Sequence, residues 1–346
     1  MEGKGGRVGQ ADGAGSAITG GRALNSDVSV IIPVYNGARF IERTIESVLR
    51  QTLAPKEIII VDDASTDETR RCIERVAADH TFIQVPENRG VCHSRNAGIR
   101  ASTSPLIALS DQDDLWHPEK LARQVAAFEA HPSIELLFTN FQYLRNEVFD
   151  ESDKSAEAPP GFWQDAVERK EGDAAMLKRP ALPYLLMFQP VFPSTMMFRR
   201  TLLDKAGLFD EAVGCEQSED LEFLLRCDLN CRMAALLTPL ATIRKHGQNY
   251  SGNTARSILS QVRILTRMVQ GQGPYEPFRA AITAQIRHRT LLAFNALFAE
   301  GDLTAARLVL RDVPHRSRDL RVVVKGAVAA MPGPLGKAAW RVLSSR

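Results

Sequence analysis

The sequence predicts an α/β fold: a mostly parallel sheet flanked by helices, followed by a helical C-terminal extension. Three observations predict it. Short apolar, β-branched runs alternate with segments of helical periodicity between Val28 and Phe138. The early runs end in polar or acidic turns. Beyond about residue 255 the apolar spacing is helical throughout.

The elements follow in order. Val28 to Val34 reads as a buried strand ending at a Tyr35-Asn36-Gly37 turn. Arg39 to Arg50 carries Phe40, Ile41, Ile45, Val48 and Leu49 on one helical face. Glu57 to Val61 is a second strand, with Asp62 and Asp63 at its end. Ser65 and Glu68 then offer a capping box for a helix running to Ala78. Thr81 to Val85 is a third strand and Val91 to Ala101 a helix. Leu106 to Ser110 is a fourth strand that runs into Asp111-Gln112-Asp113-Asp114. Pro118 opens another helix, and Ile134 to Phe138 is a fifth strand. Such alternation builds right-handed βαβ units, whose ligands bind at the carboxyl ends of the strands. Asp150 to Pro183 is polar and reads as a long loop. A compact stretch from Tyr184 to about Asn253 follows, and the helical C-terminal part breaks at Met331-Pro332-Gly333-Pro334. The boundaries are therefore a disordered Gly/Ala/Ser-rich tail over 1–26, a main domain over 27–255 and a helical extension over 256–346.

Composition excludes several classes. A net charge of +2 over 346 residues is too near balance to argue for nucleic acid on its own, and no nucleic-acid partner is expected. The five cysteines (Cys72, Cys92, Cys215, Cys227, Cys231) are scattered and odd in number, which is not a disulfide framework. Cys227 and Cys231 lie four apart without the partner set of a zinc site, so core packing is expected. No apolar run follows the early basic residues and no stretch approaches a membrane span, so a reducing, cytoplasmic setting is expected. Gly3-Lys4-Gly5-Gly6-Arg7 has no strand before it and is not a phosphate loop.

Asp111-x-Asp113 at a strand end can hold a hard divalent cation through oxygen ligands. Such a cation neutralises a departing diphosphate. Taken alone, the pair is more often a solvated turn.

The surrounding motifs decide between these readings. Val28-Ser29-Val30-Ile31-Ile32-Pro33-Val34-Tyr35-Asn36-Gly37, Glu57 to Asp67, Asn88-Arg89-Gly90, Ser94 to Ile99 and Asp111 to Trp116 together resemble the family 2 glycosyltransferases over roughly Val28 to Asn253. The resemblance implies the GT-A fold, with its Rossmann-like sheet, and inverting transfer from a nucleotide-diphosphate sugar. It implies that Pro33, Tyr35 and Asn36 line a base and ribose pocket and that Asp63 accepts a hydrogen bond from a uracil-like ring. Arg89 would lie against base or phosphates, Asp111 against ribose or metal, and Asp113 on the metal, Mn²⁺ or Mg²⁺. Asp62 and Asp67 are read as structural. Ser218-Glu219-Asp220-Leu221-Glu222 resembles the family's acidic motif before a helix, which makes Asp220 the base that takes the acceptor hydroxyl's proton. Glu219 would orient it. The segment Ile243 to Ser251 resembles the family's His-containing stretch, with His246 as metal ligand or diphosphate contact. Its Asn249-Tyr250-Ser251 sequon is idle in a cytoplasmic chain. Trp116 is either a sugar-stacking ring or core. Pro193 to Arg199 belongs to the acceptor side, with Met196 and Met197 as core.

From Val313 onward the charges are basic except for Asp319. The helices there read as a cap packed on the main domain with a solvated basic face; the competing reading is peripheral contact with an anionic membrane. UDP-sugar donor, glycan or lipid-linked acceptor and bacterial cell-surface polysaccharide synthesis complete the expectation. The alternatives are a nucleotidyltransferase, which would need a Gly-rich, Lys/Arg-bearing phosphate loop, and a non-catalytic nucleotide-sugar-binding module, which would have lost its carboxylates. A dinucleotide dehydrogenase is disfavoured because no GxGxxG opens the first helix.

Overall fold

The computed structural model describes residues 26–76, 79–212, 217–247 and 254–344. The tail before Ser26, the expected helix end at Ala78, Cys215 and the Asn249-Tyr250-Ser251 sequon lie outside them. The first half runs β1 (Val28–Val34), α1 (Ile41–Leu49), β2 (Glu57–Asp62), α2 (Thr69–Val76), β3 (Thr81–Gln84), α3 (Val91–Ala101), β4 (Leu106–Leu109), β5 (Leu115–Trp116) and α4 (Lys120–Ala130). The chain continues with β6 (Leu136–Arg145), β7 (Val148–Asp153), α5 (Phe162–Ala166), β8 (Val167–Glu171), β9 (Ala174–Leu177), α6 (Leu182–Met187), β10 (Met196–Arg199), α7 (Leu202–Ala206), α8 (Glu219–Asp228) and β11 (Met233–Lys245). Five helices follow: α9 (Thr254–Met268), α10 (Arg279–Glu300), α11 (Leu303–Leu310), α12 (Leu320–Ala330) and α13 (Gly333–Ser344).

The strands form one sheet in the order β3-β2-β1-β4-β10-β6-β11-β9-β8, with β5 on β11 and β7 on β6. The first four are parallel, as alternation with helices requires. β10 enters antiparallel between β4 and β6, and β6 pairs parallel with β11. The chain moves outward from β1 to β3 and then returns to β4 on the other side of β1. That reversal leaves a crevice at the carboxyl ends of β1 and β4.

Alternation along β1 sorts the core. Val28, Val30, Ile32 and Val34 pack on one side with Ile41, Ile45 and Val48 of α1. Ile31 packs on the other with Cys92 and Ile99 of α3 and Leu221, Phe223 and Leu224 of α8. A Cβ on Gly98 would stand 2.5 Å from Ile31 Cγ2, so α3 lies on β1 at a distance only glycine permits. Leu49, expected on the buried face of α1, is exposed, and Thr44 is buried in that face.

The expected long loop at Asp150 to Pro183 instead holds the end of β7, α5, the β8–β9 hairpin and the start of α6. Ala174 to Leu177 is wholly buried and pairs with β11, while Val167 to Glu171 is a charged outer strand. Edge strands carry charge on both faces, so the period-2 signal is lost in the sequence. Pro118 lies just before α4 rather than at its first turn, with Glu119 as the N-cap. Asp67 accepts from the Thr69 N–H at 3.0 Å and so takes the place expected of Ser65 at the start of α2.

Leu265 of α9 and Ile282 of α10 reach the sheet's second core. Phe294, Leu297 and Phe298 of α10 instead form a separate cluster with Ala306, Val322 and Val328. No helix among the described residues is long and apolar enough to cross a membrane.

Candidate active site

The strand ends open into a cavity of about 700 Å³. Pro33 and Tyr35 of the β1 end, Asp63 after β2, and Asp111, Asp113 and Asp114 after β4 reach it. From the second half come Gln189, Glu219 and Asp220 at the start of α8, and Arg244 to His246 at the end of β11.

His246 Nε2 lies 2.9 Å from Asp113 Oδ2. The imidazole is stacked on Phe40, ring centroids 4.2 Å apart, so the plane of the ring is set from behind. Asp114 is buried in the cavity wall with its carboxylate engaged: it accepts from Ser194 Oγ at 2.5 Å and from the Arg244 N–H at 3.0 Å. Burial, then the neighbouring Asp113 and Asp111, push the Asp114 carboxyl well above its ordinary range. Asp114 thus braces the acidic turn against β11, while Asp111 and Asp113 face the cavity.

Arg95, fully buried on α3, joins the two acidic elements. Its Nη2 donates to Asp111 Oδ1 and its Nη1 to Glu219 Oε1, both at 2.7 Å. A guanidinium is the cation suited to a desolvated site of this kind, because its planar fork serves two carboxylates at once. Burial raises Asp111 despite the opposing pull of Arg95. Glu219 is therefore a clamp that fixes the start of α8, and Asp220 stands beside it.

Asp220 Oδ2 accepts from Gln189 Nε2 at 3.1 Å, and Asp220 Oδ1 accepts from the Leu221 N–H at 2.8 Å. Burial, with Glu219 adjacent, pushes the carboxyl up to about 7, against the lowering effect of Arg95. A carboxylate tuned this way can take a proton near neutral pH.

Asp63 is buried and accepts from the backbone N–H groups of Arg89 at 2.9 Å and Gly90 at 2.8 Å, which fixes the turn into α3. Tyr35 stands half-exposed at the rim. Two expected site residues do not line the cavity. Asn36 Oδ1 accepts from the Thr66 N–H at 2.8 Å and the Asn36 N–H donates to Ser65 Oγ at 2.8 Å, so Asn36 ties two turns together. The Arg89 side chain points toward Glu211, 3.9 Å away. Asp62 holds a turn through the Ser65 N–H. Trp116 is core: its indole N–H donates to the Ser194 carbonyl at 3.0 Å and Lys120 Nζ lies 3.9 Å from the ring centroid. Met196 and Met197 are buried, as are Cys227 and Cys231.

The sequence reading missed Arg95, Gln189, Arg244 and Lys245 as site residues. Arg95 carried a signal: it shares the helical face of Cys92 and Ile99, and a charge on a buried face must find partners. Arg244 and Lys245 directly precede His246 and add positive charge to that wall. Gln189 lies in an irregular stretch with no pattern to mark it.

Residues 29–184 match the family model described as Glycosyl transferase family 2. Over that stretch, somewhat under half of the chain, it is similar to the family 2 glycosyltransferases. An uncharacterized glycosyltransferase of Nostoc sp. is 44% identical over 105 residues, 30% of this chain and 33% of that protein. The putative teichuronic acid biosynthesis glycosyltransferase TuaG of Bacillus subtilis is 34% identical over 141 residues, 40% of this chain and 55% of its own. The matches to these curated relatives thus span only a third to just over half of their lengths. Among solved structures, residues 1–349 of S. aureus TarS in complex with UDP-GlcNAc have a TM-score of 0.59 at 19% identity, covering 92% of this chain and 90% of that one. The mannosyltransferase PcManGT of Pyrobaculum calidifontis, in complex with GDP-Man and Mn²⁺, has a TM-score of 0.53 at 20% identity, covering 92% and 87%. At such identities the likeness is one of fold: a GT-A α/β architecture with extra helices at the C-terminus.

Proposed function

We propose that this chain is a glycosyltransferase that moves a sugar from a nucleotide-diphosphate sugar, with a UDP-sugar favoured, to a hydroxyl of a glycan or lipid-linked acceptor, with inversion at the anomeric carbon. The observation that carries the proposal is the placement of Asp220, raised to about 7, on the same cavity as the Asp113–His246 pair. In this reading Pro33, Tyr35 and Asp63 receive the base and ribose, and Asp111 faces the ribose or the metal. Asp220 takes the proton of the attacking hydroxyl. Its hydrogen bond from Gln189 and its seat at the start of α8 hold it in place.

Asp113 and His246 would hold a divalent cation, Mn²⁺ or Mg²⁺. Among the described residues no group of three or more His, Cys, Asp or Glu side chains is placed to hold a metal. Two protein ligands suit a hard cation that takes its remaining ligands from water and a diphosphate. The cation would offset charge on the leaving diphosphate. Arg244 and Lys245 act on the same charge from the β11 side. Support for donor and metal comes from the fold relatives with UDP-GlcNAc and with GDP-Man and Mn²⁺. Support for cell-surface polysaccharide synthesis comes from the likeness to TuaG.

The test pairs binding with turnover. Calorimetric titration of UDP, GDP, CDP and dTDP, with Mn²⁺ and with EDTA, is expected to show metal-dependent binding of UDP. Asp220→Asn should keep that binding and lose transfer by about a hundredfold or more, the usual weight of a general base. Turnover near wild type would remove Asp220 from the mechanism, and no nucleotide binding under any condition would overturn the donor site.

A further inference from the structure

The last two helices present apolar side chains to solvent at helical spacing. On α12 the buried residues Val322, Val328 and Ala329 face the helical cluster. The opposite face carries Leu320, Val323, Val324 and, just past the helix end, Met331, which are 78%, 51%, 42% and 44% exposed. On α13 Trp340 packs inward, its indole N–H donating to the Phe298 carbonyl at 2.5 Å, and Gly336 lies against the Val328 and Met331 carbonyls. Leu335, Ala338 and Val342 lie away from that face and are exposed, Leu335 at 66% and Val342 at 61%. Arg321, Lys337 and Arg341, all exposed, fall at the edges of these two stripes. The sole acid between Val313 and Leu343 is Asp319, whose carboxylate is used in capping α12 through the Val322 N–H at 2.8 Å.

A soluble cap packed on its domain would place polar residues at those outward positions. Two adjacent short helices, each with an apolar outer stripe and cationic flanks, have the pattern of helices that lie in the plane of a membrane interface. A second copy of the chain is a poorer occupant. A two-fold contact through the same face would bring both sets of Arg321, Lys337 and Arg341 into one interface, with Asp319, already capping α12, as the one acid on these helices to offset them.

We propose that the outer faces of α12 and α13 seat this protein on a bilayer carrying anionic headgroups. The apolar stripes enter the headgroup–acyl boundary, and the three cations engage the lipid charge. The proposal does not depend on the sugar-transfer reading, since the measurement uses neither donor nor turnover.

The full chain is sedimented with vesicles of phosphatidylcholine alone and of phosphatidylcholine mixed with phosphatidylglycerol, at low and high salt. Binding to the mixed vesicles that weakens with salt is expected. The combined variant Arg321→Gln/Lys337→Gln/Arg341→Gln should bind more weakly by about fivefold per cation, on the order of a hundredfold in all. Leu320→Ser/Val324→Ser/Leu335→Ser should lose the remaining binding. All six side chains are exposed, so thermal melts near wild type are expected for both variants. Absence of binding to the mixed vesicles overturns the proposal, as does binding by both variants that equals wild type. A dimer in sedimentation equilibrium that the apolar variant dissociates would assign the face to a second copy instead.

Discussion

Asp220 is held in a place that disfavours its charge, and this has a consequence for stability as well as for chemistry. An unfolded aspartate titrates near 3.8, and this one is pushed up to about 7 by burial and by Glu219. Between those values the folded chain binds the proton more tightly than the unfolded chain does. The contribution of Asp220 to stability is therefore least unfavourable below the unfolded value, worsens as pH rises through this window, and reaches its full penalty above about 7. Asp220→Asn removes the penalty. In EDTA the variant should be more stable than wild type at pH 8, by on the order of 1–3 kcal/mol, and equal to it near pH 4. Urea unfolding at the two pH values measures the difference. Equal stability at both would mean that Asp220 is not strained in the fold. The same carboxylate should give kcat/KM an acid limb at or below about 7, because a cation on Asp113 and His246 would draw it downward. Arg95 already acts in that direction. Its two carboxylate partners come from β4's end and from α8, 16 and 124 residues away along the chain.

Among the elements, α3 sets how closely the sheet and the site are joined. It carries Arg95 toward the acidic turn, and it reaches β1 only because Gly98 has no side chain. Gly98→Ala would place a methyl group 2.5 Å from Ile31 Cγ2, where Ile31 is fully buried and held by its own packing. Overpacking of this kind costs about 1–3 kcal/mol, more than the helix gains by losing a glycine. A lower urea midpoint with an unchanged slope is the expected result, and a midpoint equal to or above wild type would show that α3 can move away from β1 without cost. The sequence made α3 legible to its ends, Val91 to Ala101, and β1 likewise, because both are bounded by sharp turns. The strand ends were equally legible as a polar edge, since topology alone brings Tyr35, Asp63 and Asp111 together. What it hid has a physical reason in each case. β8 is a charged strand at the sheet edge, and β9 is only four residues long and buried on both faces, so neither shows alternation. Asn36 and Arg89 sit in motif positions, yet the turn hydrogen bonds and Glu211 claim their polar groups. Gln189 acts across 31 residues from a segment without periodicity.

The whole molecule is joined by α10. Ile282 near its start belongs to the core beneath the sheet, and Phe294, Leu297 and Phe298 near its end belong to the cluster that also holds α11 and α12. Arg289 between them donates to the Leu186 carbonyl at 2.8 Å, fastening the middle of the helix to the main domain. A helix shared in this way couples the two cores, so the C-terminal helices are expected to unfold with the sheet. The chain carries its own reporters. Trp116 is buried against β11, and Trp340 closes the C-terminal cluster over Gly301, 3.1 Å from where a Cβ would stand. Two variants follow, each keeping one of these indoles and replacing the other two tryptophans (Trp163 in both) by phenylalanine. Their thermal fluorescence transitions should coincide within error. Coincident transitions by independent probes are the mark of one cooperative unit. A Trp340 transition well below that of Trp116 would instead make α11 to α13 a separately folding attachment. In the joined arrangement, the face that α12 and α13 present and the cavity that holds Asp220 keep one fixed relation, so a surface that binds the first also orients the second.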